Sequence, residues 1–166
     1  MTTTEADWER RMAHLWATMN DHDPDDFLNK VKSLTSELPP GDAVGLFELA
    51  GAHDSTGHAE AAAPLYRQAL AAGLSGLRRR CAVIQMASTL RNLGKPEDSV
   101  TLLTAERDAA HDELDDAVIA FLALALVDRG REREAVAITV TALSRHLTRY
   151  NRSLTNYAKV LAEGSP

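Results

Sequence analysis

The residue types in this chain that could support catalysis or metal binding are six histidines, one cysteine and a short cluster of serine, threonine and histidine. Among the histidines only His53 and His58 are close in sequence, and their separation of five residues does not match the i, i+4 spacing of two zinc ligands on one helix face. Ser55 and Thr56 precede His58 as a nucleophile would precede a base, but neither an orienting acid nor a loop suited to an oxyanion hole accompanies them. We therefore predict structural or surface roles for these side chains.

The single cysteine and the glycines do not define a reactive site either. Arg80 precedes Cys81 and could make its thiolate more reactive, but a partly buried, inert thiol is the more common situation. A phosphate-binding loop needs closely spaced glycines, whereas Gly41, Gly45 and Gly51 are dispersed. We predict a protein that is not an enzyme and that has no cofactor and no metal site.

Composition and charge exclude several classes of partner. The formal charge of −6 and the isoelectric point near 5.5 argue against binding to a phosphate backbone, so we predict no nucleic-acid partner. No apolar run reaches the about 20 residues that span a membrane, and the first residues lack the apolar core of a signal peptide. A lone cysteine gives no internal disulfide and favours a reducing compartment. These features predict a soluble protein in the cytoplasm.

Three glycines set the organisation of the chain: Gly57, Gly94 and Gly130, which are 37 and 36 residues apart. Apolar residues at spacings of three and four precede and follow each glycine, which is typical of two helices that each bury one face. Small residues such as Ala50 and Ala62 let the two helices approach closely, and glycine adopts a turn conformation that other residues resist. The equivalent apolar and small residues are Leu46, Leu49, Tyr66 and Ala69 around Gly57; Val83, Met86, Ala87, Leu90, Ser99, Leu102 and Leu103 around Gly94; and Ile119, Leu122, Ala123, Leu126, Ala135, Ile138 and Ala142 around Gly130.

This pattern resembles the tetratricopeptide repeat, a helix–turn–helix unit of roughly 34 residues. The run GHAEAAAPLYRQALAAGL followed by RRRCAVIQMASTLRNLGKPEDSV is similar to a bacterial tetratricopeptide group of mostly unassigned function. The chain departs from the usual pattern at His53, Glu106 and Thr139, and no proline closes a repeat. The resemblance implies an all-α fold, a right-handed superhelical array of antiparallel helix hairpins (a TPR-like α-solenoid) with an N-terminal hairpin and a C-terminal capping helix.

The predicted organisation is one structural domain of about eight helices. Residues 1–42 form an N-terminal helical hairpin that caps the array, because stacked repeats need end caps with polar outer faces. Residues 43–147 hold three repeats and residues 148–166 a C-terminal capping helix. The repeats run over residues 43–76, 80–113 and 116–147.

The last repeat leaves two alternatives open, because an apolar stripe runs unbroken from Ala135 to Leu161 through residues that include Leu143, Tyr150 and Tyr157. Either one long helix covers this segment, or the chain bends near residues 148–151. We favour the bend, because only a returning helix could cover the apolar residues of the last repeat. Those residues are Ala120, Leu124 and Val127.

Two clusters of charged residues each allow two interpretations. Residues 1–42 contain nine acidic and four basic side chains, which gives −5 of the total charge of −6. A solvated cap surface explains this better than an acidic docking patch. Three consecutive arginines, Arg78 to Arg80, stand at a predicted helix start, where the helix dipole opposes them. They either pair with acids of a neighbouring repeat, which we favour, or face the carboxylates of a partner.

The resemblance also implies where a partner binds. In tetratricopeptide arrays the first helix of each repeat lines a concave groove with residues ten, six, three and two before the turn glycine. Phe47 and Ile84 share the first of these columns, so we expect them to lie side by side outside the packing stripe. Phe47 and Gly51 stand in columns where chaperone-tail-binding members carry a carboxylate clamp, so that partner class is not expected. The predicted partner-binding residues are Phe47, Asp54, Ile84, Ser88, Arg91, Asn92, Leu124 and Asp128.

The function that this resemblance implies is a non-catalytic protein–protein interaction module, which binds a peptide or helix of a partner protein in the groove. The alternative is a self-associating structural module, a homodimer that uses the same groove and the C-terminal helix.

Overall fold

The computed structural model describes residues 3–109 and 111–164, and within these ranges the regular structure is entirely helical. The predicted all-α fold class is confirmed. The described residues contain nine α-helices and one 3-10 turn (Met19–Asp21), rather than about eight helices. The α-helices are α1 (Thr3–Ala17), α2 (Pro24–Thr35), α3 (Ala43–Ser55), α4 (Ala59–Ala71), α5 (Gly76–Asn92), α6 (Pro96–Ala109), α7 (Asp115–Val127), α8 (Glu132–Ser144) and α9 (Asn151–Glu163).

Internal contacts divide the chain into two compact units, Met1–Ala82 and Val83–Pro166. The boundary falls inside α5. In the first unit α1 packs on α2, α2 on α3 and α3 on α4, and in the second unit α6 packs on α7, α7 on α8 and α8 on α9. Packing between consecutive helices is what a helical repeat requires. The exact repeat boundaries and the single domain given above stay predictions.

The three turn glycines behave as the spacing predicts. Gly57, Gly94 and Gly130 have φ angles of 83°, 73° and 70°, a left-handed conformation that side chains disfavour. At each turn the amide after the glycine donates to a carbonyl five residues back, as at a glycine-terminated helix end. These bonds join His58 to His53 at 2.8 Å, Lys95 to Leu90 at 2.9 Å and Arg131 to Leu126 at 2.9 Å.

The first unit has its own core, built where α1 and α2 pack against α3. Asp23 caps α2 by accepting from the amide of Asp26 at 2.9 Å, and Pro24 occupies the first helical position, where its missing N–H costs nothing. Between the hairpin helices α3 and α4, the small residues Ala50 and Ala62 are fully buried. The core cluster consists of Trp8, Met12, Leu15, Phe27, Leu28, Val31 and Ala52.

The second unit repeats this arrangement around its small residues. Ala87 and Ala135 are 0% and 3% exposed, and Leu122 and Leu126 of α7 are each 1% exposed. The full cluster consists of Ile84, Ala87, Val100, Leu103, Val118, Leu122, Ala125, Leu126 and Ala135.

We expect Ala62→Leu and Ala135→Leu each to lower the free energy of unfolding by about 1–3 kcal/mol, because a larger side chain would be forced between closely packed helices. Thermal melting measures the effect. Ala71→Leu, at an exposed position of α4, is the control and should melt near the parent temperature. A variant at Ala62 or Ala135 that melts like the parent would show that its position is not a helix–helix contact.

The chain bends after α8, as predicted. Tyr150 has φ 69°, the one positive φ of a non-glycine residue among those described, and α9 starts immediately after it. Asp116 of α7 anchors the start of this loop through ion pairs with Arg145 and with His146, whose Nε2 lies 2.6 Å away. Both partners hold the pKa of Asp116 below its ordinary value, and the hydrogen bond to His146 is the largest single cause.

The reason given for the bend was wrong, however. The returning helix does not cover the apolar residues of the last repeat: Leu124 and Val127 each remain 47% exposed, and Ala120 is exposed too. Helix α9 lies instead against another side of α8, where the Ser144 and Thr155 hydroxyls are 3.0 Å apart. The apolar stripe is not buried along its whole length, because three of its members point to solvent. Leu143, Tyr150 and Tyr157 are 54%, 75% and 69% exposed.

Candidate protein-binding surface

In the first unit the N-terminal hairpin covers part of the predicted binding face of α3. A Cβ placed on Gly51 would lie 3.3 Å from Cζ2 of Trp16, so the indole of α1 packs directly on this glycine. Phe47 is half-buried, with its ring centroid 6.4 Å from that of Tyr66, and Asp54 is half-buried as well. The position of Gly51, which the repeat pattern places in the groove, is therefore filled by the chain itself.

A buried hydrogen-bond network fixes Trp16 in this place. The indole Nε1 donates to Oε2 of Glu48 at 2.7 Å, and Glu48 is only 6% exposed. Arg78 lies with Nε 3.3 Å from Oε1 of Glu48 and donates to both carboxylate oxygens of Glu9 at 2.8 and 2.5 Å. Burial raises the pKa of Glu48 against the opposing effects of Trp16 and Arg78. Of the three arginines, Arg78 thus pairs with acids of α1 and α3, which is the arrangement favoured above.

In the second unit Ile84 is not a surface residue. It is 5% exposed and belongs to the core cluster with Val118 and Leu122 of α7. The expectation that Ile84 lies outside the packing stripe is therefore wrong. Ser88, one turn further along α5, is half-buried, and Asn92 at the end of the helix is exposed.

Two of the predicted binding residues bind each other. Nε of Arg91 on α5 lies 2.5 Å from Oδ2 of Asp128, which directly follows α7. Nearby charges are also matched within the chain. Two further ion pairs join Arg129 to Glu97 at 2.5 Å and Arg131 to Glu134 at 2.7 Å. The charges of Arg91, Arg129 and Arg131 at the α7–α8 turn are therefore compensated within the chain.

Beside these pairs α7 and α8 expose apolar side chains. Leu124 and Val127 of α7, each 47% exposed, and Val136 of α8, 49% exposed, border a shallow cleft of about 240 Å³. Apart from Thr139, every residue of its wall is apolar. The wall consists of Ala123, Leu124, Val127, Ala135, Val136, Thr139 and Val140.

This apolar region continues along α8. Val136, Val140 and Leu143 follow each other at spacings of four and three, which places them on one helix face. Leu143 at the end of this face is 54% exposed.

Helix α9 extends the same region on the other side of α8. Neighbouring residues of a helix are about 100° apart, so Val136 and Ile138 lie on opposite flanks of buried Ala137, and Tyr157 and Lys159 on opposite flanks of buried Ala158. Ile138 and Lys159 line a common cleft of about 230 Å³ between α8 and α9. Tyr157 must therefore lie on the flank of α9 that borders Val136 and its neighbours.

The result is one apolar surface across three helices, here named the C-terminal apolar surface. Tyr157 of α9 is 69% exposed. The surface consists of Leu124, Val127, Val136, Val140, Leu143 and Tyr157. Monomeric proteins rarely leave large contiguous apolar patches in water, and such patches mark interaction sites. Of its members only Leu124 is among the predicted partner-binding residues.

The histidine pair and the hydroxyl that could support catalysis or metal binding lie at the α3–α4 turn. The rings of His53 and His58 lie 5.8 Å apart, and Nδ1 of His58 is 3.0 Å from the hydroxyl of Thr56. Burial, with smaller contributions from Lys32 and His58, lowers the pKa of His53. Residues 3–109 and 111–164 contain no group of three or more histidine, cysteine or acidic side chains placed to hold a metal ion. Among the helices of these residues, none has the length and apolarity to span a membrane.

Comparison with known proteins agrees with the helical pattern. The family model described as tetratrico peptide repeat matches residues 43–161, which include α3 to α8 and most of α9. No curated protein and no solved structure matches the chain. Because the family model spans well over half of the 166 residues, the chain belongs to the tetratricopeptide repeat family.

Proposed function

We propose that this protein is a non-catalytic interaction module that binds a helix or peptide of a partner protein through the C-terminal apolar surface. Repeat proteins of this kind use extended surfaces to bind other proteins. The observation that carries the proposal is the exposure of Leu124, Val127 and Val136 around one cleft, each about half open to solvent. A cytoplasmic location is part of the proposal, supported by the single cysteine.

The charges beside the surface indicate what kind of ligand fits. Arg91 and Asp128 neutralise each other, as do Arg131 and Glu134. A strongly charged peptide would have to break these ion pairs before its own charges could pair with the same residues. An apolar helix face could bind without breaking them, and the polar residues at the edge of the surface would exclude water from the contact. The partner is therefore a helix or peptide with apolar anchors at helical spacing.

The set of binding residues changes accordingly. Leu124 lies within the surface, and the Arg91–Asp128 pair forms part of its polar edge. Ile84 is removed from the set, because it is a core residue. Phe47, Asp54, Ser88 and Asn92 stay predictions.

Affinity capture from the native cell extract tests the proposal. The variant Leu124→Ser, Val136→Ser should fold like the parent, because both side chains are about half exposed, and it should lose the captured partner. The control is Leu77→Ser in the first unit, where a leucine is 50% exposed outside the surface. It should capture the same protein as the parent. Equal capture by all three proteins would contradict the proposal.

A further inference from the structure

We infer that the helix bound by the C-terminal apolar surface is α8 of a second copy of this chain, so that the two copies form a symmetric dimer about a two-fold axis near Val140. This inference rests on the proposed function, because it uses the same surface and names its occupant. It starts from the shape of the surface and its area.

The surface itself includes an apolar helix face, and an apolar helix face is the kind of ligand that it is suited to bind. An apolar helix docks through anchors at i, i+4 and i+7, and Val136, Val140 and Leu143 have this spacing on α8 itself. In a symmetric dimer the same patch is used on both sides of the interface. Two α8 helices that cross antiparallel at Val140 would place Val136 of each copy against Leu143 of the other. Tyr157 of α9 and Val127 of α7 would flank this contact.

The exposed area is enough for a specific interface. Five side chains of the surface, all except Val140, are between 47% and 69% exposed. Taking about 100 Å² for a fully exposed aliphatic side chain and about 200 Å² for tyrosine, they leave on the order of 330 Å² of apolar area in water. Since interfaces are about 60% apolar, this corresponds to roughly 550 Å² per partner, or about 1,100 Å² in total, against the ~1,000 Å² that a specific interface should exceed.

A charge-swap experiment tests the arrangement. Purified wild-type protein, Leu143→Arg, Val136→Glu and an equal mixture of the two variants are compared by light scattering over a wide range of concentrations. We expect the wild type to reach twice the chain mass of 18.0 kDa. Each variant alone should stay at 18.0 kDa, because the introduced charge would face an apolar side chain. The mixture should recover the dimer, since one interface contact becomes Arg against Glu and the other remains apolar.

Leu77→Arg is the matched control: it makes the same change at a leucine of similar exposure (50% against 54%) and should dimerise like the wild type. Recovery of the dimer in the mixture also shows that both variants are folded. Wild-type protein at 18.0 kDa at all concentrations, variants that dimerise alone, or a mixture that stays monomeric would each overturn the inference. If the wild type is monomeric while capture of another protein still requires Leu124 and Val136, the proposed function stands and the second copy is not the partner. If the surface variants change neither mass nor capture, both fail.

Discussion

Ile84→Ser is expected to lower the free energy of unfolding by about 3–5 kcal/mol, because it empties a core position and buries a hydroxyl there. Ile84 is 5% exposed and packs in the cluster with Val118 and Leu122. Phe47, which shares its column in the repeat pattern, is half-buried. Phe47→Ser should therefore cost only roughly 1–2 kcal/mol.

Denaturant unfolding followed by circular dichroism compares the two variants directly. The expected order is parent, then Phe47→Ser, then Ile84→Ser, with a clear gap between the last two. Equal stability of the two variants would mean that Ile84 lies on the surface beside the packing stripe after all. The result would then support the expectation that Phe47 and Ile84 occupy equivalent surface positions in the repeat pattern.

Trp16→Ala is expected to destabilise the first unit by about 3 kcal/mol, the lower end of the range for removal of a large aromatic side chain, because Trp16 is only partly buried. The substitution removes the indole from Gly51 and from Phe27, whose ring centroid is 5.1 Å away. It also takes from Glu48 the donor at 2.7 Å, which leaves a buried carboxylate with fewer partners.

A second substitution separates this contact from a general loss of packing. Alanine is favoured over glycine in a helix by about 1 kcal/mol, but a Cβ at Gly51 would press on Trp16, which its hydrogen bond holds in place. Gly51→Ala should thus bring no gain in the parent and a gain of about 1 kcal/mol in the Trp16→Ala background. An equal effect in both backgrounds would show that the indole does not constrain Gly51.

The sequence was sufficient for the helices and their turns because these depend on local rules. A glycine between two apolar stripes predicts a helix–helix turn with a left-handed backbone conformation. Gly57, Gly94 and Gly130 all adopt this conformation. Asp23 before Pro24 likewise identifies a helix start from neighbouring residues alone.

Burial within a shared column could not be predicted, because it depends on neighbours far away in sequence. Phe47, Ile84 and Ala120 occupy the same repeat position and are half-buried, buried and exposed respectively. Gly51 is covered by a tryptophan from another helix, and no spacing rule relates Trp16 to it. A repeat pattern assumes equal surroundings for each copy, and these surroundings differ.

The C-terminal apolar surface was missed for a related reason. The sequence around Gly130 has more apolar residues than one buried face requires, and Val136 and Val140 were given no role beside the stripe that starts at Ala135. Val136, Val140 and Leu143 form a second face at helical spacing, beside the buried face of Ala135, Ile138 and Ala142. Counting two faces on α8 would have found the candidate surface from the sequence alone.

Site-specific photo-crosslinking tests the central claim, that the C-terminal apolar surface is the protein-binding surface, most directly. A photoreactive phenylalanine analogue is placed at Val136, and as control at Thr101, an exposed residue of α6 in the same unit. After irradiation of living cells, the account predicts a discrete crosslinked protein from position 136, either a second copy or another partner, and none from position 101. Crosslinks from position 101 alone, or none from position 136, would contradict it.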